Sequence, residues 1–195
     1  MKTQIRFVNT ANSSDSQAIL NIYKPFIISS DITFECTVPT IEEFSERIKN
    51  TTKQFPYLVF EIDGVIAGYA YATKQREREA FQWNTEISVY VSTKYQRQGI
   101  AQKLYTILLE ILTAQGYKTA YGCITYPNDK SISLHEKFGF SQTAIFYNTG
   151  FKLGKWLNVI WLEKALGEFE NEPTPPVPIS KLDEKLLATI LENNS

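Results

Sequence analysis

The chain has 195 residues, of which 43% are hydrophobic and 21% charged, a composition typical of one folded domain with an appendage. Its 20 Lys and Arg residues nearly balance 21 Asp and Glu residues, so the formal charge of −1 gives no indication of a nucleic-acid-binding surface. No apolar run reaches the roughly 20 residues of a membrane span, and the opening MKTQIRFVNT contains no apolar secretory segment. We therefore expect a cytoplasmic protein that binds neither nucleic acid nor membrane.

Hydrophobic periodicity and turn signals predict a mixed α/β chain. Thr40, with Glu43 three residues later, has the pattern of a capping box, and Asp63-Gly64 is a strong hairpin signal. The predicted elements, in chain order, are a strand at 5–8, a helix from 14 or 15 to about 23–26, a helix after 40, a hairpin of strands 57–62 and 65–72, a strand at 84–91, a helix at 99–115 ended by Gly116, a strand at 119–125, a helix from 127 to 137 ended by Gly139, and strands at 141–148 and 156–164.

The composition changes after Leu166, where residues 167–178 contain four prolines. We divide the chain into a domain at 1–166, a Pro-rich linker at 167–179 and an amphipathic C-terminal tail helix at 180–195. The tail is too short to be stable alone. It is expected to dock on its own domain or on a second subunit, and recruitment of another partner is the alternative.

The chain contains two cysteines and one histidine. Cys36 and Cys123 are far apart in sequence and have apolar or β-branched neighbours, so both are expected to be buried free thiols in a reducing compartment. Neither a CxxC nor an HExxH motif occurs in the sequence. We therefore expect no metal site.

The segment Tyr95–Leu104, YQRQGIAQKL, joins a β-branched strand to an apolar helical pattern. Gly99 would let the backbone approach a ligand closely, and the free N–H groups of the first helical turn would point at that ligand. Arg97 and Lys103 add positive charge. The segment therefore predicts an anion-binding turn, with an ordinary strand-to-helix loop as the alternative. Neither GxxxxGK[ST] nor GxGxxG is present.

The pattern Gln96-x-x-Gly99-x-Ala101, after a Val-Tyr-Val strand, resembles the acetyl-CoA-binding motif of the GNAT N-acetyltransferase superfamily. The order of elements from Ile5 to Lys164, about four-fifths of the chain, is similar to that fold. The resemblance narrows to the phosphinothricin N-acetyltransferase group, which includes methionine sulfoximine and sulfone acetyltransferases. It is carried by ITFE at 32–35, WNTE at 83–86, VYVS at 89–92, QRQG at 96–99, AQGYK at 114–118, PND at 127–129, LHE at 134–136, GF at 139–140 and GFKxGxW at 150–156.

This resemblance implies an α/β (α+β) GNAT fold, with a single mixed, mostly antiparallel sheet flanked by helices, and a homodimer. It also implies acetyl-CoA as cosubstrate. Asn128 would contact the pantetheine, although helix capping is an alternative role for it. Backbone groups of β-strand residues would meet the pantetheine and acetyl carbonyl, and amides of the turn would hold the pyrophosphate: Val89, Tyr90 and Val91 in the strand, and Arg97, Gln98, Gly99, Ile100, Ala101 and Gln102 in the turn.

Acetyl transfer to an amine requires removal of the ammonium proton. Glu86 lies near the middle of a predicted central strand, where partial burial would raise the pKa of its carboxyl. The resemblance implies that Glu86 is the general base, acting through water, with an exposed strand glutamate as the alternative. It also implies a catalytic or site-lining role for His135, which could relay a proton or orient water. A core or surface histidine is the alternative, and Tyr126 and Tyr147 are other candidate proton donors.

The acceptor pocket of the resembling group maps onto Phe34, Glu35, Arg78 and Phe81. Arg78 would suit a substrate carboxylate as a bidentate partner, and Lys152 could hold a second acidic group; a solvated loop is the alternative for the arginine. The predicted function is direct acetylation of a small amino-acid-like amine, such as phosphinothricin, methionine sulfoximine or methionine sulfone. A different amine acceptor, or a non-catalytic acyl-CoA-binding sensor, is the alternative.

Overall fold

The computed structural model describes residues 1–11 and 13–193. Its single seven-stranded sheet has the strand order β1-β2-β3-β4-β5-β7-β6. The strands are β1 (Thr3–Phe7), β2 (Tyr57–Ile62), β3 (Val65–Lys74), β4 (Asn84–Val91), β5 (Thr119–Tyr126), β6 (Ser141–Lys152) and β7 (Lys155–Ala165). The α-helices are α1 (Ser14–Ser29), α2 (Ile41–Thr51), α3 (Ile100–Gln115), α4 (Asp129–Lys137) and α5 (Glu184–Asn193).

Two neighbouring strands near the middle of the sheet separate along part of their length. Every neighbouring pair of strands is antiparallel except β4 and β5, which are parallel and pair only at Asn84, Thr85 and Glu86. Residues 87–91 of β4 remain paired with β3. On their other side they have no strand partner in the part of the chain described. The two strands therefore part immediately beyond Glu86.

A layer of helices covers each face of the sheet. Helix α3 packs on one face, where Leu104, Leu108 and Ile111 have no exposed surface and join Ile87 in one cluster. Helices α1 and α2 cover the opposite face and form a second cluster with alternate residues of β2 and β3. Burying a side chain of this size contributes about 1.5–3 kcal/mol. The two cores hold β4 firmly from both sides.

Helix α1 differs from its prediction at both ends. Ser13 is the N-cap residue, and the carboxylate of Asp15 instead accepts hydrogen bonds from the Arg6 guanidinium, at 2.6 and 3.0 Å, and from the Asn9 N–H at 2.7 Å. Burial opposes ionisation of Asp15, but these bonds outweigh it and lower the pKa of that carboxyl. The helix also runs through Pro25 to Ser29, because its last two turns bury apolar residues against the sheet.

Other predicted elements agree with the structure to within a few residues. The capping box of Thr40 and Glu43 is present, and Asp63-Gly64 forms the turn between β2 and β3. The largest difference lies in the last hairpin, where β6 continues to Lys152 and only two residues separate it from β7. Cys36 is exposed, so its predicted burial is wrong; Cys123 is half-buried, and both thiols are free.

The C-terminal segment packs on the same domain. Trp83 Nε1 donates to the carbonyl oxygen of Thr174 at 2.8 Å, and Gln115 Nε2 donates to that of Val177 at 2.8 Å. Ile190 of α5 is 2% exposed and belongs to the cluster around α3. Residues 194 and 195 of the predicted tail helix lie outside the described residues. None of the helices described is long and apolar enough to cross a membrane.

Candidate active site

A groove with a volume of about 630 Å³ opens where β4 and β5 part. Its walls come from the end of β4, the turn before α3, and α4. Phe26 of α1 and Ile32 of the following loop close one end. The groove therefore lies against the part of β4 that has no strand partner on that side.

The turn before α3 is shaped by left-handed backbone. Gly99, the N-cap residue, has φ 78°, and Arg97 has φ 64°. A Cβ added at Gly99 would meet nothing within 4 Å, so glycine is favoured here by the backbone angle rather than by lack of space. The first N–H groups of a helix have no partner inside it. In this 16-residue helix they face the groove with the positive end of the helix dipole, an arrangement suited to a pyrophosphate.

Nine of the ten predicted cofactor-binding residues line this groove; the exception is the exposed Gln98. Asn128 also caps α4, since its Oδ1 accepts a hydrogen bond from the Ser131 N–H at 3.2 Å. The two alternative roles of Asn128 are therefore compatible. The residues that line the groove from the predicted set are Val89, Tyr90, Val91, Arg97, Gly99, Ile100, Ala101, Gln102 and Asn128.

Helix α4 also contributes to this wall, although its sequence was not predicted to do so beyond Asn128. Lys130, Leu134 and Lys137 line the groove, and their spacing of four and three residues places them on one helical face. Lys137 Nζ also donates to Gln102 Oε1 at 3.1 Å, which links α4 to the turn. Helical periodicity applied after Asn128 could have identified these two cations, which complement an anionic ligand.

A small chamber of about 60 Å³ continues from the groove between the parted strands. Both cavities are lined by Ile32, Val89, Tyr90, Asn128 and Ser131. The chamber has room for about two water molecules. Its remaining lining residues are Ile87, Ser88, Tyr105, Cys123, Ile124 and His135.

His135 is 3% exposed and both ring nitrogens have partners. Nδ1 lies 2.7 Å from the Ser131 carbonyl oxygen, which can only accept, so Nδ1 carries the hydrogen. Nε2 then accepts from the Tyr105 hydroxyl at 3.2 Å. Burial lowers the pKa of His135, so the ring is neutral at pH 7. A side chain at Gly122 would clash with it, because an added Cβ would lie 2.5 Å from Nε2.

Glu86 occupies the last position at which β4 pairs with β5, next to the point where these strands part. Its side chain lines neither the groove nor the chamber. Burial raises the pKa of its carboxyl from 4.5 to about 7. Burial is the larger cause, and the charge of Glu86 the smaller one, that together raise the pKa of the Cys123 thiol to about 12. The same two causes contribute to a raised pKa of Tyr71. The site thus pairs a carboxyl that titrates near neutrality with neighbours that stay neutral.

The predicted acceptor residues fall into two places. Phe34 and Glu35 lie on the loop between α1 and α2, where Glu35 pairs with Arg47 at 2.5 Å, and Lys152 lies beneath this loop. Arg78 and Phe81 belong to the β3–β4 connection. None of the five predicted acceptor residues lines the groove or the chamber.

Of the other candidate proton donors, neither Tyr126 nor Tyr147 lines the two cavities, and Tyr147 is 70% exposed. Tyr105, which no sequence signal distinguishes from the apolar residues around it in α3, instead reaches the chamber. Among the described residues no three His, Cys, Asp or Glu side chains are grouped to hold a metal ion.

Comparison with known proteins agrees with this geometry. Residues 8–161 match the model of the acetyltransferase (GNAT) domain. The chain therefore belongs to the GNAT acetyltransferase family, and it is an acetyl-CoA-dependent N-acetyltransferase.

Individual relatives carry the names of more specific acetyltransferases. The chain is 35% identical to a phosphinothricin N-acetyltransferase of Streptomyces viridochromogenes over 172 residues, covering 88% of this chain and 92% of the relative. It is 32% identical to an L-methionine sulfoximine/L-methionine sulfone acetyltransferase of Salmonella typhimurium, covering 84% and 95%. The crystal structure of a phosphinothricin acetyltransferase from Sinorhizobium meliloti in complex with acetyl-CoA matches with a TM-score of 0.84 and 32% identity, covering 91% and 96%.

Proposed function

We propose that this enzyme acetylates the amine of a small amino-acid-like substrate of the phosphinothricin, methionine sulfoximine or methionine sulfone type. The names of the relatives support this substrate class. The observation that carries the proposal is the position of Glu86, whose carboxyl has a pKa raised to about 7 at the point where β4 and β5 part.

Acetyl-CoA, when bound, would supply the activated acetyl thioester for direct attack by the amine, in which the C–N bond forms, the C–S bond breaks and CoA leaves as the thiolate. Glu86, whose neighbour Ile87 lines the chamber, accepts the ammonium proton through a water molecule, because a carboxyl with a pKa near 7 is ionised in about half of the molecules at neutral pH. Backbone groups of Val89, Tyr90 and Val91 hold the pantetheine arm and polarise the acetyl carbonyl. No cysteine is required as a nucleophile.

The remaining cofactor contacts follow from the groove. The turn from Arg97 to Gln102, including Gln98, holds the pyrophosphate through its amides, and Asn128 contacts the pantetheine. His135 lines the chamber as a neutral imidazole that relays a proton or orients water. On the acceptor side, the proposed substrate-binding residues are Phe34, Glu35, Arg78 and Phe81, and Lys152 lies beneath the loop that carries the first two.

Several exposed aromatic residues of β6 and β7 support a homodimer. Phe146, Tyr147, Phe151 and Trp156 are each more than half exposed, and monomeric proteins seldom leave such a patch uncovered. A second copy presenting the same patch is the proposed occupant. Light scattering of Tyr147→Glu/Trp156→Glu should report a monomer if this patch is the interface. The free thiols are compatible with the proposed cytoplasmic location.

The proposed division of the chain keeps catalysis within residues 1–166. Residues 167–179 then link this unit to the tail at 180–195. The hydrogen bonds of Trp83 and Gln115 to residues 174 and 177 favour a structural rather than a catalytic role for that linker.

The test is thiol release from acetyl-CoA with a panel of amines. The panel contains phosphinothricin, methionine sulfoximine, methionine sulfone, ordinary L-amino acids and spermidine. Saturable turnover with the first three is the expected result. Turnover only with spermidine would favour a different amine acceptor, and acetyl-CoA binding without turnover of any amine would favour a non-catalytic acyl-CoA sensor.

A further inference from the structure

The loop at residues 30–35 is attached to the β6–β7 hairpin on its outer side. Lys155 Nζ pairs with the Asp31 carboxylate at 2.7 Å. The ring of Phe34 lies so close to Gly150 that any side chain there would overlap it. Residues 150–155 of the hairpin therefore contact the loop at two places on the surface.

A third attachment lies underneath the loop and is buried. Lys152 is 4% exposed, and its Nζ donates to the carbonyl oxygens of Thr33 at 2.7 Å and Phe26 at 3.3 Å. It forms no ion pair with a carboxylate within residues 1–11 and 13–193. A buried ammonium is costly unless its donors are satisfied, and burial accordingly lowers the pKa of Lys152. These two carbonyl oxygens are the hydrogen-bond acceptors of the Lys152 ammonium in the folded protein.

The segments that Lys152 joins form the wall where the two cavities meet. Phe26 lines the groove, and Ile32, next to Thr33, lines both the groove and the chamber. The Thr33 hydroxyl is 2.6 Å from the Tyr23 hydroxyl. Tyr23 in turn packs edge-on against Tyr90, with ring centroids 4.9 Å apart, and Tyr90 lines both cavities. Movement of the Thr33 carbonyl would therefore alter the shape of this junction.

We propose that Lys152 is a positioning residue that holds the Phe26–Thr33 wall against the sheet, and that it does not bind the acidic group of the acceptor. This inference rests on the proposed acetylation of amino-acid-like amines. Lys152 is 4% exposed and lines neither the groove nor the chamber, so direct binding of a substrate anion would require its ammonium to move out from under the wall that it holds. Lys152 therefore shapes the acceptor site and does not recognise a particular group of the substrate.

The test compares Lys152→Met with the matched control Lys155→Met, which removes only the exposed contact to Asp31. Acceptor KM and kcat are measured with phosphinothricin, which has an acidic side chain, and with methionine sulfone, whose side chain is uncharged. We expect Lys152→Met to raise acceptor KM about tenfold for both, because small displacements in a site lower its efficiency steeply. Acetyl-CoA affinity should stay within about twofold, and Lys155→Met should resemble the wild type. A loss confined to phosphinothricin would overturn the proposal.

Hydrogen exchange of residues 30–35 separates this inference from the substrate assignment. Faster exchange in Lys152→Met than in Lys155→Met supports the positioning role even if no amine of the panel is a substrate. Unchanged exchange in Lys152→Met contradicts it. If Lys152→Met does not fold, Lys152→Gln, which keeps an N–H donor without the charge, takes its place in the same comparison.

Discussion

The proposed active site has two halves that are built differently. The cofactor half, residues 89–102 and 128–137, consists of two short continuous segments and relies on backbone groups, one left-handed turn and a helix N-terminus. The acceptor half combines Glu86 with the loop 30–35, which Lys152 holds from beneath, and these parts meet only in the fold. The residues proposed to bind the cofactor therefore lie close together in sequence, whereas the residues proposed to select the amine come together only through tertiary packing.

The largest expected effect comes from the acceptor half. Glu86→Gln should lower kcat about 10²-fold or more, because the amide cannot accept the ammonium proton. Acetyl-CoA affinity measured by calorimetry should change less than twofold. Glu192→Gln, on the exposed side of the tail, is the control. Near-normal turnover of Glu86→Gln would remove Glu86 as the base.

The same substitution should have opposite effects on activity and stability. The folded protein raises the Glu86 pKa from 4.5 to about 7, so it binds a proton more tightly than the unfolded chain. The wild-type free energy of unfolding therefore falls as pH rises between those values. Glu86→Gln should consequently melt above the wild type at pH 8 and close to it at pH 4.5. Wild-type kcat/KM should rise with pH through about 7, and a flat profile would contradict the assignment.

A smaller effect is expected from the backbone of the cofactor half. Gly99→Val should weaken acetyl-CoA binding about tenfold, since a β-branched residue strains the left-handed turn by roughly 1–3 kcal/mol. Gly99→Asn, which tolerates this conformation better, should bind within about threefold of the wild type. Equal affinities for the Val variant and the wild type, measured by calorimetry, would contradict the pyrophosphate assignment to this turn.

The smallest effect on chemistry is expected outside both halves. Ile190→Ala should lower the free energy of unfolding by about 2 kcal/mol, because it leaves a cavity against α3. Leu186→Ala, at a residue that is 42% exposed, should cost less than about 0.5 kcal/mol. Turnover should be unchanged in both. A selective loss of activity in Ile190→Ala, without a change in denaturation midpoint, would show that the tail affects the site.

The difference between the halves also explains what the sequence could predict. Gly99, Ala101 and Asn128 lie in short segments whose turn and cap signals are local, so their positions at the groove were accessible from sequence order. Tyr105 looks like any other residue of an apolar helix, and its hydroxyl acquires its partner only when α4 brings His135 beside it. Likewise, nothing near Lys152 in sequence indicates that its amine is buried under residues 26–33.

Most of the fold was predictable for the same reason, since strand and helix patterns, the capping box and the Asp63-Gly64 turn are local. The end of α1 was not, because a proline normally ends a helix, and here the packing of Phe26 and Ile27 against the sheet offsets that preference. The exposure of Cys36 follows from a loop path that its apolar neighbours did not indicate.

The parting of β4 from β5 gives this sheet an internal edge in addition to its two outer ones. Unpaired strand edges are templates for association with other chains, and in the binding mode proposed above acetyl-CoA lies along this edge at residues 89–91. Cellular acetyl-CoA would then act as a folding and solubility factor as well as a reactant. Purification without it should yield protein that aggregates sooner on heating, and adding it should raise the aggregation temperature by mass action.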